Sequence, residues 1–318
     1  MENSTAYDIL ADMSVDIDAE AASKYDIGYI PMEFILGEES YMANRPWDQD
    51  RMHEYYEQLR NKIPTRTSQI TPHSYGEFFE PYVEKGRPVI YICLSSGLSK
   101  TYESALLAVE ELKEKHGEDK VQIEVVDSLG ATGGMGMLCE AAGINREHGA
   151  GFKENAAWLR EAAKHIHYWF MVEDLMYLKR GGRISGATAI VGTALNIKPI
   201  LKVNSEGSLE NISKKRGSKL AMKYLVELFK ESADDSVIND KDMCDMLSDT
   251  SDKAYLKDIR NIVYICCADR MADALEVKKA VLEADPKSLV RVTQLSPVIG
   301  AHTGPDLLAL IHFGKRKG

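Results

Sequence analysis

Residues 88–117 read PVIYICLSSGLSKTYESALLAVEELKEKHG. Pro88 to Cys93 form a near-continuous apolar run, which is how a parallel strand buried on both faces reads. Leu94-Ser95-Ser96-Gly97-Leu98-Ser99 then turns polar and small, and from Thr101 the chain takes up a helical pattern. A second apolar run, VQIEVVDS from Val121, follows directly.

The same alternation extends in both directions. Strand-like runs recur as IGYIPMEF, HYWFMVED, IKPILKV, NIVYICCAD, LVRVTQLS and LLALIHFG, with YDILA as a first candidate near the start. Between them lie WDQDRMHEYYEQLRNKI, EHGAGFKENAAWLREAAKHI, GSKLAMKYLVELFKES and DRMADALEVKKAVLEAD, all with helical patterning. Strands alternating with helices make the class α/β. Regular strand–helix repeats run to about His165, after which connections lengthen and glycine clusters appear. At 318 residues this predicts two domains, 1–165 and 166–318. Residues 231–252 carry eight acidic side chains against one lysine, which reads as a solvated excursion with a short helix from Met243 to Leu247.

Three strand candidates end in polar groups: Asp12-Met13-Ser14, Ser95-Ser96-Gly97, and Asp127-Ser128. In open α/β sheets, ligands bind beyond the carboxyl ends of strands, where helix N-termini offer free N–H groups. Hydroxyls placed there suggest a small anionic or polar head group. The net charge of −10 excludes a broad nucleic-acid or anionic-membrane footprint, so any anion must be held by a local site. The five cysteines include no CxxC pair and the N-terminus is acidic, so a reducing cytoplasm is expected.

Each motif has a plain alternative. GATGGMG (130–136) does not keep GxGxxG spacing and no GxxxxGK[ST] occurs, so a tight, closely packed turn is the better reading than a nucleotide loop. His165 and His167 lack a third ligand nearby, and a metal site is rejected. Ser95 or Ser96 with His302 and Asp127 would make a hydrolase triad, but no GxSxG elbow surrounds the serines. Thr65-Arg66-Thr67-Ser68-Gln69, together with the serines after Cys93, offers neutral donors for a carboxylate in an otherwise apolar site. His302 lies in a glycine-bracketed turn whose Gly300 and Gly304 imply close backbone approach. In YLKRGGRISGATAIVGTALNIKPIL (177–201), Gly181-Gly182 is either a helix C-cap with Arg183 in a structural ion pair, or a close backbone approach that aims Arg183 at an anion. The apolar run that follows is either a pocket wall or a helix packed on the sheet.

Taken in order, these pieces resemble the DegV family of bacterial fatty-acid-binding proteins. Thr67-Ser68-Gln69 is similar to its TSQ signature and Ser95 to Tyr102 to its SSGLSGTY segment. The Asp127-Ser128 turn, the GGRI…LNIKPIL block and Gly300 to Pro305 complete five matches in register. The resemblance implies an N-terminal three-layer domain with a parallel sheet, a C-terminal two-layer domain with a mixed sheet, and one long acyl chain between them. It also implies that Thr67, Ser68, Ser95, Ser96 and His302 hold the carboxylate, supported by Arg183, Gly182, Gly97 and Asp127. No cofactor beyond the bound acid is implied. The implied partners are a long-chain fatty acid, a separate ATP-dependent fatty-acid kinase subunit that makes an acyl phosphate for phospholipid synthesis, and a transient membrane contact, with no nucleic acid. A lipid or ester hydrolase using Ser95 or Ser96 with His302 is the alternative. The chain departs from the family pattern at Met13, Ile70-Thr71 and Lys100.

Overall fold

A computed structural model describes residues 6–184, 196–234, 241–247, 250 and 252–315. The apolar stretch 185–195, expected to wall a pocket or pack as a helix, lies outside the described residues. The strands are β1 (Asp8–Asp12), β2 (Ile27–Ile30), β3 (Met32–Leu36), β4 (Glu39–Ala43), β5 (Thr65–Thr67), β6 (Val89–Cys93), β7 (Ile123–Asp127), β8 (Ile166–Met171), β9 (Ile197–Val203), β10 (Leu209–Arg216), β11 (Ile262–Cys267), β12 (Leu289–Gln294) and β13 (Leu308–Phe313).

The first half holds a parallel sheet in the order β2-β1-β6-β7. All five residues of β6 are buried, as a two-sided strand requires. The helix Thr101–His116 that follows it buries Ala105, Ala108, Val109 and Leu112, one face at helical spacing. The second half holds a six-stranded mixed sheet, β10-β9-β8-β13-β11-β12, in which only β11 and β12 run parallel. A small antiparallel sheet, β4-β3-β5, stands beside the first. The chain is therefore α/β, with a parallel sheet early and a mixed sheet late.

Strand alternation decides which side of the mixed sheet faces the cavity. In β13, Leu308 and Leu310 pack with Val263 and Ile265 of β11 in a cluster shared with the helices Ser218–Ser232 and Met271–Ala284. Ala309, Ile311 and Phe313 point the other way, into the main core that runs from Tyr7 through both halves. Period-two geometry makes the two sets disjoint. One face of this sheet is thus sealed by helices, and the other closes against the first half of the chain.

That closure depends on glycine. The GATGGMG run opens a long helix, Thr132–Glu147, which its composition hid. A Cβ on Gly134 would stand 2.0 Å from Tyr168 Oη, and one on Gly133 would stand 2.5 Å from Cys266 Sγ. Close packing is therefore this run's task, and its partner is the mixed sheet.

Three expectations are corrected. IGYIPMEF is two strands in different sheets, parted at Pro31, which has no N–H for a ladder. The His302 segment is a helix, Pro297–Thr303, instead of a glycine-bracketed turn. Its glycines approach tyrosines: Cβ atoms on Gly300 and Gly304 would lie 2.8 Å from Tyr56 Oη and 2.4 Å from the Tyr177 ring. In the acidic segment the helix spans Lys241–Asp245, and Met243 and Leu247 are buried in the main core. Two apolar anchors therefore tie down a stretch whose charge suggested a solvated excursion.

Candidate functional site

Between the two halves lies a cavity of about 460 Å³, within the roughly 300–1,000 Å³ common for small-molecule sites. Its wall is apolar over most of its extent, with Phe170 of β8, Val203 of β9 and Ala309 and Ile311 of β13 facing in. Polar groups reach it from the end of β5, the loop after β6, the turn at Arg183 and the helix Pro297–Thr303, and Thr132 and Tyr168 also line it.

Thr67 ends β5, whose pairing with Phe34 fixes its direction. Its Oγ1 lies 2.8 Å from His302 Nε2. Burial, reinforced by the positive charge of Arg183, pushes His302 down to about 4, so the imidazole is neutral near pH 7. Among the described residues its Nδ1 has no hydrogen-bond partner. A proton on Nδ1 would be a buried unsatisfied donor, so the proton belongs on Nε2, donating to Thr67 Oγ1. The Thr67 hydroxyl proton is then available to the cavity. Gly181 makes room for this ring, since a Cβ there would lie 2.5 Å from Nδ1.

Gly181 and Gly182 do cap a helix, Met176–Arg180. Gly182 sits at φ +72, its N–H donates to Lys179 O, and Arg183 N donates to Leu178 O, the paired bonds of a Schellman motif. The cap delivers Arg183 to the cavity wall. Its guanidinium donates to Leu98 O (3.1 Å) and to Gly181 O, joining the β6 loop to the cap. Among the described residues it has no carboxylate partner, and burial lowers its proton affinity. The helix-cap reading of the glycine pair therefore holds, except that backbone carbonyls take the place of the expected ion pair.

The two serines after β6 part company. Ser95 is fully buried and donates to Gly207 O (2.9 Å), away from the cavity wall. Ser96 lines the wall, with its Oγ donating to Asp127 Oδ2 (2.5 Å) and its N–H to Asp127 Oδ1 (3.2 Å). Gly97 also lines the wall and lets the loop press on the β9–β10 turn, where a Cβ would meet Glu206 O at 2.5 Å. Ser68 is in the wall as well, whereas Gly182 and Asp127 stand behind it.

A hydrolase needs a serine bonded to the histidine. Here Ser95, Ser96 and His302 are hydrogen-bonded to Gly207, Asp127 and Thr67 respectively. His167 Nε2 pairs with Lys315 O (2.6 Å) and His165 lies 3.7 Å from Glu161, a protein-bonded arrangement for both. Among the described residues His53, Glu57 and Asp269 come close enough to hold an ion. Arg60 binds both carboxylates, at 2.7 and 2.5 Å, and makes them an ion-pair network.

Sequence reasoning missed Asp12 as a support. Fully buried, it accepts from Tyr91 Oη (2.8 Å), Leu94 N (2.9 Å) and Ser14 N (3.0 Å), so it anchors the start of the serine loop. Its place at a strand end was visible, but its partners were not. Met13 and Ile70 are core residues, and Lys100 stands on the cavity rim paired with Glu103 at 3.1 Å.

The chain matches the DegV family, described as uncharacterised proteins, over residues 6–315. A DegV domain-containing protein of Clostridium perfringens is 30% identical over 309 residues, covering 97% of this chain and 98% of that protein. A stearic-acid-binding protein of Eubacterium ventriosum superposes with TM-score 0.78 at 23% identity, covering 98% and 99% of the two chains. A DegV-family protein of Ruminococcus gnavus, solved with vaccenic acid, gives TM-score 0.78 at 20% identity over 96% and 99%. With its whole described length matched in sequence and in fold, this chain belongs to the DegV family.

Proposed function

We propose that this protein holds one long-chain fatty acid in the cavity and presents its carboxyl group to a separate ATP-dependent kinase, which converts it to an acyl phosphate for lipid synthesis. The observation that carries the reading is the cavity itself: an apolar enclosure with one polar cluster, Thr67, Ser96, His302 and Arg183, assembled from both halves. Each methylene removed from water contributes about 0.8 kcal/mol, on the order of 10 kcal/mol for a long chain. Affinity then comes from the tail, and the head group needs only orientation.

In this reading Thr67 and Ser96 meet the carboxyl group, Ser68 borders it, and His302 orders Thr67. Arg183 supplies positive potential, in a protein of net charge −10, for the acyl phosphate once it forms. Ser95 serves indirectly, by fixing the loop to Gly207. The halves 1–165 and 166–318 act as two domains clamping the acid. Catalysis resides on the partner, the protein works in the cytoplasm, and membrane contact is transient; among the described residues no helix is long and apolar enough to cross a membrane. The relatives solved with stearic and vaccenic acids support the ligand class.

The kinase step is tested by mixing the oleate-loaded protein with ATP and a candidate kinase, then trapping acyl phosphate as the hydroxamate. Hydroxamate that depends on both proteins and on ATP is expected. Hydroxamate formed by the kinase from free oleate at the same rate would contradict a presenting role.

A further inference from the structure

The hydrogen bonds around Ser96 say what kind of head group the cavity accepts. Ser96 has one hydroxyl proton, and Asp127 Oδ2 takes it at 2.5 Å. Asp127 is fixed in this task, because Oδ1 also accepts from Ser96 N (3.2 Å) and Leu129 N (3.0 Å). What Ser96 Oγ turns toward the cavity is therefore a lone pair. Across the same polar cluster, Thr67 receives the His302 proton and turns its own outward. The two groups are linked through the Arg183 turn, where Gly181 lies against His302 and Arg183 bonds Leu98 O beside the serine loop. One acceptor and one donor complement a neutral –COOH, whose carbonyl accepts from Thr67 and whose O–H donates to Ser96. An ionised carboxylate, which only accepts, would meet the Ser96 lone pair and lie near a second carboxylate.

We propose that the acid is held in its protonated form, and that Asp127, acting through Ser96, is the positioning residue that imposes this. The proposal rests on the fatty-acid reading above. The titratable and charged groups around Asp127 do not compensate it. Cys93 on β6 is buried and its thiol is pushed up by desolvation. Tyr102 on the helix Thr101–His116 and Tyr168 on β8 are also raised, by burial first and then by Asp127 itself. Arg160 on the helix Phe152–Ala162 is paired with Glu124 and bonds Val125 O. Among the described residues no lysine, arginine or histidine forms an ion pair with Asp127. The cluster's own cation, Arg183, bonds the carbonyls of Leu98 and Gly181. Holding a proton at pH 7 on a group with an ordinary carboxyl pKa costs about 500-fold in affinity, which the buried tail can offset.

The test is to titrate delipidated protein with [1-¹³C]oleic acid between pH 6 and 8. In the wild type, Kd should rise about tenfold per pH unit, since one proton is taken up with the ionised acid. The bound carboxyl resonance should stay at its protonated position throughout. In Asp127→Asn the amide can donate to Ser96 Oγ and release the serine proton to a carboxylate, so Kd should change less than about threefold over the range. A flat wild-type Kd with the resonance at its ionised position would overturn the proposal, as would an unchanged slope in Asp127→Asn. The resonance needs no variant and stands if Asp127→Asn does not fold. Tight but pH-independent binding would leave the fatty-acid reading intact, whereas no binding at any pH would overturn both.

Discussion

The two halves bring different chemistry to one cavity. The first contributes hydroxyls at loop ends, Thr67 and Ser96, each held by a hydrogen bond to a neighbour. The second contributes most of the apolar wall, through inward-facing positions of β8, β9 and β13, and adds His302 and Arg183 on short connecting elements. Loop groups are placed by polar networks such as Asp12 with Leu94, and the wall is placed by sheet register. The two halves should therefore respond differently to substitution: on the proposed reading, changes in the wall should decide whether a tail enters and changes in the loops how a head group is oriented.

The strongest way to break this division is to fill the wall. Ala309 is the small residue among the cavity-facing positions of β13, and Ala309→Phe puts a ring where a chain would lie. Retained acid should fall at least about 100-fold, with stability changed by no more than the roughly 1–3 kcal/mol of overpacking. Calorimetry and extraction check both halves of that statement, and full retention of ligand would show that the wall is elsewhere.

Protonation of His302 gives the next largest effect. Its folded value of about 4 lies below the ordinary 6.5, so the folded state binds fewer protons than the unfolded one between those limits. Stability from this group is complete above 6.5 and is lost as pH falls toward 4, by about 3 kcal/mol. Asp16, pushed up to about 7 by burial between Thr132 Oγ1 (2.5 Å) and Ser296 N (2.7 Å), works in the opposite direction over pH 4 to 7. The difference in urea-measured stability between ligand-free wild type and His302→Asn should therefore narrow as pH falls from 6.5 to 4, and a pH-independent difference would mean the histidine is solvated.

Thr67→Val keeps shape and removes one donor, so about 1–2 kcal/mol of binding should be lost with the fold intact. The finest contrast is between neighbours. Ser95→Ala should cost about 1 kcal/mol of stability by orphaning Gly207 O and leave ligand affinity nearly unchanged, while Ser96→Ala should alter ligand affinity severalfold. Equal behaviour of the two variants would erase the distinction drawn between them.

The α/β class and most strands were legible because apolar runs and helical patterns carry them directly. The GATGGMG helix was not, because its glycines serve packing against Tyr168 and Tyr264, a tertiary demand that overrides local propensity. The serine motif marked a polar loop end but not which of its serines faces the cavity. That choice follows from Gly207 at φ +74, whose missing Cβ leaves space for Ser95 Oγ. Likewise LLALIHFG reads as a strand, yet which of its faces lines a cavity depends on pairing with β8 and β11, which sequence alone does not supply.

The central claim is that this cavity holds a single long-chain fatty acid. Purified protein should be denatured, extracted into organic solvent and analysed by mass spectrometry for co-purifying acids. The account predicts a near-stoichiometric long-chain fatty acid that is lost in Ala309→Phe. Protein that carries no such acid, and takes none up when oleate is supplied, would contradict it.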